Sequence, residues 1–115
     1  MTERVSRDWV YDHLICEFEH WDVCVKGLVG RDGERLFAEI VDETDDEITY
    51  ALRPIAWTPE CDEYLADYRT SYAHWFHEGK PRQLYDGRDL KWFADKWAGR
   101  NPIAEAAGTR RGERP

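Results

Sequence analysis

The stretch from Val23 to Val41 limits the choice of fold more than any other part of the chain. Val23-Cys24-Val25 and Leu28-Val29 form a β-rich run. Gly30-Arg31-Asp32-Gly33 separates it from Glu34 to Val41, where Leu36, Ala38 and Ile40 share one face. An Asp-Gly pair between two apolar runs is a hairpin signal with a mechanism. A two-residue turn whose twist matches its strands needs positive φ at both central positions, which Asp tolerates and Gly adopts freely. A third run, Ile48-Thr49-Tyr50-Ala51-Leu52-Arg53, places Ile48, Tyr50 and Leu52 on one face, and Pro54 then removes a ladder donor. Three sequential strands with short turns predict an antiparallel β-meander over about residues 22–53.

Beyond Pro54 the apolar period lengthens. Thr58-Pro59-Glu60 reads as an N-cap, a first-turn proline and a first-turn acid, and Gly79 with Pro81 ends the segment, so a helix is expected over about 59–78. Its stripe is Cys61, Tyr64 or Leu65, Tyr68, Tyr72, Trp75 and Phe76. A second helix is expected over about 87–98, capped by Asp86, ended by Gly99, with Leu90, Phe93, Ala94 and Trp97 on its inner face. Residues 6–20 fit two templates. Val10, Leu14, Phe18, Trp21 and Val25 recur at helical spacing behind Ser6 as N-cap, while Leu14, Cys16 and Phe18 alternate as a strand would. The helix, ending near His20, is the favoured reading. Asn101-Pro102 is read as a break, and residues 101–115 as a mobile tail of low apolar content. The expected fold is α+β: one domain over residues 1–100, its meander covered on one face by an N-terminal helix and two C-terminal helices.

A length of 115 residues suits a single domain, and 42% apolar residues suffice for one modest core. The first ten residues hold Glu3, Arg4, Arg7 and Asp8 and no apolar h-region, and no apolar run approaches the ~20 residues that cross a bilayer. Cys16, Cys24 and Cys61 are odd in number and form no C-x-x-C. A reduced, cytoplasmic protein with no membrane association is the expectation. The odd cysteine count and the aromatic content allow a homodimer without requiring one.

Two groups of residues bear on metal chemistry. His13, Cys16, His20 and Cys24 are suitable ligand types for zinc, spaced H-x2-C-x3-H-x3-C. On one straight helix, however, they would span about 16 Å at ~1.5 Å per residue, too far to meet at one ion. His74 and His77 form an i, i+3 pair that needs a third ligand from elsewhere; together with a carboxylate they define the alternative reading, a small metal-dependent or acid/base enzyme. There is no H-E-x-x-H and no G-x-S-x-G. Gly27, Gly30 and Gly33 lead into a strand rather than a helix N-terminus, so they do not make a phosphate cradle. No catalytic residue and no cofactor are expected.

Charge is the sharper signal. The formal net charge is −8, but residues 1–78 carry nineteen acids and seven bases, a formal −12, and residues 79–115 carry +4. The turn Asp42, Glu43, Asp45, Asp46 and Glu47 concentrates five carboxylates in six positions without the spacing of a calcium loop. Such a row steers basic partners and resembles a phosphate backbone. Lys80, Arg82, Arg88, Lys91, Lys96 and Arg100 interleave with Tyr85, Trp92, Phe93 and Trp97, a pattern that suits nucleic-acid stacking. Acids dilute it, and a pI near 4.9 disfavours direct nucleic-acid binding. On the expected helix Trp92 falls away from the apolar face. The expected function is therefore non-enzymatic: an acidic protein that binds another protein, itself basic or nucleic-acid-associated. Its binding residues would be Asp42, Glu43, Asp45, Asp46, Glu47, Trp75 and Trp92, in the manner of a phage- or accessory-type inhibitor.

Overall fold

The computed structural model describes residues 3–71 and 89–108. Five strands and four short helices follow one another as β1 (Glu3–Ser6), α1 (Arg7–His13), β2 (Leu14–Trp21), β3 (Val23–Arg31), β4 (Glu34–Glu43), β5 (Ile48–Pro54), α2 (Pro59–Ser71), α3 (Leu90–Trp97) and α4 (Pro102–Ala106). The strands form one antiparallel sheet in the order β1-β5-β4-β3-β2. The fold is thus α+β with five strands, not three.

The hairpin that dominates the sequence forms at the expected place. Arg31 pairs with Glu34, and the two residues between them, Asp32 at φ 52° and Gly33 at φ 83°, both adopt the left-handed region a tight hairpin needs. The β4–β5 connection is held by Thr44. Its amide donates to the Glu47 carbonyl at 2.8 Å, and its hydroxyl accepts from the Asp46 and Glu47 amides at 3.3 and 3.0 Å.

The N-terminal helix is shorter than expected. Ser6 does cap it, accepting from the Trp9 amide, but it ends at His13, and Leu14–Trp21 continues as an edge strand on β3. Both templates in residues 6–20 are therefore used, one after the other. A strand draws its hydrogen bonds from a partner distant in sequence, so the pairing with β3 decides what local periodicity leaves open. The second added strand, β1, pairs with β5 from Glu3↔Leu52 to Ser6↔Thr49. Four polar-rich residues carry no usable period.

Both faces of the sheet are covered, in contrast to the one-sided arrangement expected. Cys16, Leu28 and Phe37 pack with Cys61, Tyr64, Phe93, Trp97 and Ile103 of the C-terminal helices. On the other face Val29, Leu36, Ala38, Tyr50 and Leu52 pack with Val10 of α1. Neighbours such as Leu28 and Val29 serve opposite faces because successive strand side chains alternate. The expected shared faces of Leu36, Ala38 and Ile40, and of Ile48, Tyr50 and Leu52, are present on the α1 side.

The helix boundaries also shift. Thr58 accepts the Cys61 amide at the start of α2, as its position predicts, and the expected residues 72–78 of that helix lie outside the described residues. Asp89, not Asp86, caps α3 by accepting from the Lys91 amide, and Leu90 and Ala94 are exposed while Phe93 and Trp97 are buried. Asn101-Pro102 starts a helix instead of ending order. The Asn101 side chain accepts from the Ile103 and Ala104 amides, Pro102 occupies the first turn, and Ile103 is fully buried. Asn followed by Pro is a helix-start pair by the same rule that places Thr58-Pro59.

Candidate binding surface

The acidic turn projects from the β4–β5 hairpin, and residues 41–47 are all exposed. None of Asp42, Glu43, Asp45, Asp46 and Glu47 forms an ion pair with a described residue. Most described carboxylates elsewhere hold a cation, although Asp8, Asp12, Asp22, Asp32 and Asp89 do not. Glu3 meets Arg31 at 2.6 Å, Glu39 meets Arg53 at 2.8 Å, and Arg100 bridges Glu60 and Glu105 at 3.0 and 2.8 Å. The fold thus pairs most of its described carboxylates with cations, and the turn is where five without an ion pair to a described residue stand together.

Across from the turn lie Arg4 and Arg7. They line a cleft of about 460 Å³ whose other wall is Glu43 to Glu47. The β1–β5 pairing, at Ser6↔Thr49, brings the start of α1 to the end of the sheet from which the turn emerges. Neither arginine makes an ion pair or side-chain hydrogen bond with a described residue, whereas every other described lysine and arginine holds a carboxylate or a backbone carbonyl. The sequence points to neither arginine, because nothing local in it places β1 beside β5.

The remaining candidates separate. Trp92 is 39% exposed on α3, with the Lys96 ammonium 5.2 Å from its ring centroid. Trp75, His74 and His77 lie outside the described residues. Trp21, which helical spacing puts on an apolar stripe, is instead 72% exposed at the tip of the β2–β3 hairpin, its indole N–H on Glu19 at 3.0 Å.

His13, Cys16, His20 and Cys24 do not converge. His13 stacks on Trp9 with ring centroids 3.9 Å apart, and its Nδ1 lies 2.7 Å from the Trp9 carbonyl. His20 Nδ1 lies 3.0 Å from Glu17 Oε2. Cys16 and Cys24 are buried, and burial pushes both thiols up, Cys16 to about 12. Tyr11 and Tyr50 enclose Cys24: its amide donates to the Tyr11 hydroxyl at 3.0 Å, and its carbonyl accepts from Tyr50. Among the described residues no three His, Cys, Asp or Glu side chains are grouped to hold a metal ion. A high thiol pKa is the opposite of what a cysteine nucleophile requires.

Lys80, Arg82, Tyr85 and Arg88 lie outside the described residues, and the described basic residues of the C-terminal third are engaged. Lys91 meets Asp95 at 2.8 Å, Lys96 meets Asp67 at 2.8 Å, and Phe93 and Trp97 belong to the core. These cations do not form an unopposed phosphate-binding row. Among the described residues, no helix is long and apolar enough to cross a membrane. Compared with known proteins, the chain matches no family model, no curated protein and no solved structure.

Proposed function

We propose that this chain is a non-enzymatic interaction protein that captures a basic macromolecular partner through the turn Asp42–Glu47. The observation that supports the reading is the clustering of unpaired charge: the five turn carboxylates stand together without ion-pair partners among the described residues, while most described acids elsewhere hold a cation and those that do not, Asp8, Asp12, Asp22, Asp32 and Asp89, are scattered singly. Unpaired charges on one projecting tip focus potential outward and accelerate encounter with an oppositely charged surface. Trp92 adds an aromatic contact on α3, a residue type that commonly anchors interfaces. A protein acting this way fits an accessory factor or an inhibitor of a nucleic-acid-associated partner.

The test neutralises the turn. Replacing Asp42, Asp45 and Asp46 by Asn and Glu43 and Glu47 by Gln should slow association with the proteins that wild type captures at low salt and flatten the salt dependence. An identical captured set, with an unchanged association rate at low salt, would remove the turn from the function.

A further inference from the structure

A cleft of about 460 Å³ separates two walls of opposite sign. Arg4 and Arg7 stand on one, followed by Asp8 in the same segment, and Glu43, Asp45, Asp46 and Glu47 on the other, with Val5 and Ile48 adding apolar lining. The turn alone is a solvated tip. The facing wall changes its character, because Arg4 and Arg7, the two described cations without an acceptor among the described residues, line the same cleft as the turn carboxylates. Opposed charges kept apart across a cleft are complementary to an occupant that carries both signs. A purely basic ligand would satisfy one wall and meet repulsion at the other.

We infer that the cleft takes an extended segment of a partner protein in which cationic and anionic side chains alternate. In an extended chain, successive side chains point to opposite sides. Alternation therefore presents a cationic row to the turn and an anionic row to Arg4 and Arg7, whose guanidinium forks suit carboxylates. This inference rests on the reading of the turn as a capture surface and adds to it the second wall and the charge pattern of the partner.

The experiment measures fluorescence anisotropy of two labelled synthetic peptides of equal length at low salt, one alternating Arg and Glu, the other alternating Arg and Gln. The proteins are wild type, Arg4→Gln/Arg7→Gln, and the neutralised turn, each checked for an unchanged melting temperature. Arg4→Gln/Arg7→Gln should weaken the Arg/Glu peptide about tenfold, the scale of a lost charge-assisted contact, and leave the Arg/Gln peptide unchanged or tighter. The neutralised turn should weaken both. An Arg/Glu peptide that does not bind wild type, or that binds Arg4→Gln/Arg7→Gln as well as wild type, overturns the inference while leaving the capture reading standing if the Arg/Gln peptide still depends on the turn. Indifference of both peptides to the turn overturns both. Self-association of wild type that Arg4→Gln/Arg7→Gln abolishes, with neither peptide bound, assigns the cleft to a second copy and overturns it too.

Discussion

The Lys96 ammonium lies 2.8 Å from Asp67 Oδ2, and the same oxygen accepts the Trp97 indole N–H at 3.1 Å. One buried carboxylate on α2 thus holds two successive residues of α3, and the Tyr64 and Trp97 rings meet edge to face beside it at 5.1 Å. Asp67 and Glu63 together hold Lys96 above its usual range. Asp67→Ala leaves a buried indole donor without its acceptor and should destabilise the fold by about 2–4 kcal/mol. Glu63→Ala, which removes a half-exposed partner of the same lysine, should cost under about 1 kcal/mol. Urea denaturation of the two variants checks the difference.

Glycine is required at two positions for different reasons. A Cβ on Gly27 would lie 3.0 Å from Cys24 Sγ, 3.1 Å from the Cys16 carbonyl oxygen and 3.1 Å from Leu14 Cδ1. A Cβ on Gly33 would touch nothing within 4 Å, but the backbone there has φ +83°. Gly27→Ala should cost about 1–3 kcal/mol by overpacking and push β2 and β3 apart, whereas Gly33→Ala should cost about 1 kcal/mol through turn strain alone. Amide hydrogen exchange distinguishes them: Gly27→Ala should speed exchange along the β2–β3 ladder, and Gly33→Ala only at the turn.

Ile103 tests whether α4 belongs to the folded domain. It is fully buried, and the Ala106 carbonyl accepts from the Ala56 amide at 3.0 Å. Ile103→Ala should cost about 2–4 kcal/mol, the range for truncating a buried aliphatic side chain. A thermal midpoint equal to wild type would place residues 101–108 outside the cooperative unit.

The buried thiols make stability fall at alkaline pH. Burial raises Cys16 from an ordinary 9.0 to about 12, and burial and the Glu17 carboxylate raise Cys24 as well. Between 9 and 12 the unfolded chain releases the Cys16 proton while the folded chain keeps it, so the folded state binds more protons and loses stability as pH rises. The slope approaches about 1.4 kcal/mol per pH unit per thiol, and the contribution is fully present below pH 9. Denaturation midpoints measured from pH 8 to 10.5 should decline, and Cys16→Ala should flatten the decline even if it lowers stability at pH 8. At pH 8 the native protein should also react with a thiol reagent far more slowly than the unfolded chain.

The β3–β4 hairpin, the third strand beside it, the starts of α1 and α2 and the acidic turn are legible from residues 6 to 60 because each depends on neighbours in sequence. Asp32-Gly33 accepts the turn dihedrals by itself, Ser6 and Thr58 cap whatever helix follows them, and five carboxylates in a row repel one another in any fold. The same rule makes α4 readable at Asn101-Pro102, where a proline fits a helix start as well as a terminator. Tertiary structure decided the rest. Leu14–Trp21 is a strand because β3 offers it a ladder, and Glu3–Ser6 because β5 does. His13, Cys16, His20 and Cys24 form no common site because His13 ends α1 against Trp9 and His20 turns to Glu17, while Cys16 and Cys24 are buried. Most of all, sequence alone sets the sign and density of the charge but not its pairing. Ion pairs such as Arg31–Glu3 join residues far apart in the chain, and only their geometry shows which carboxylates hold a cation among the described residues and that Arg4 and Arg7 line one cleft with the turn.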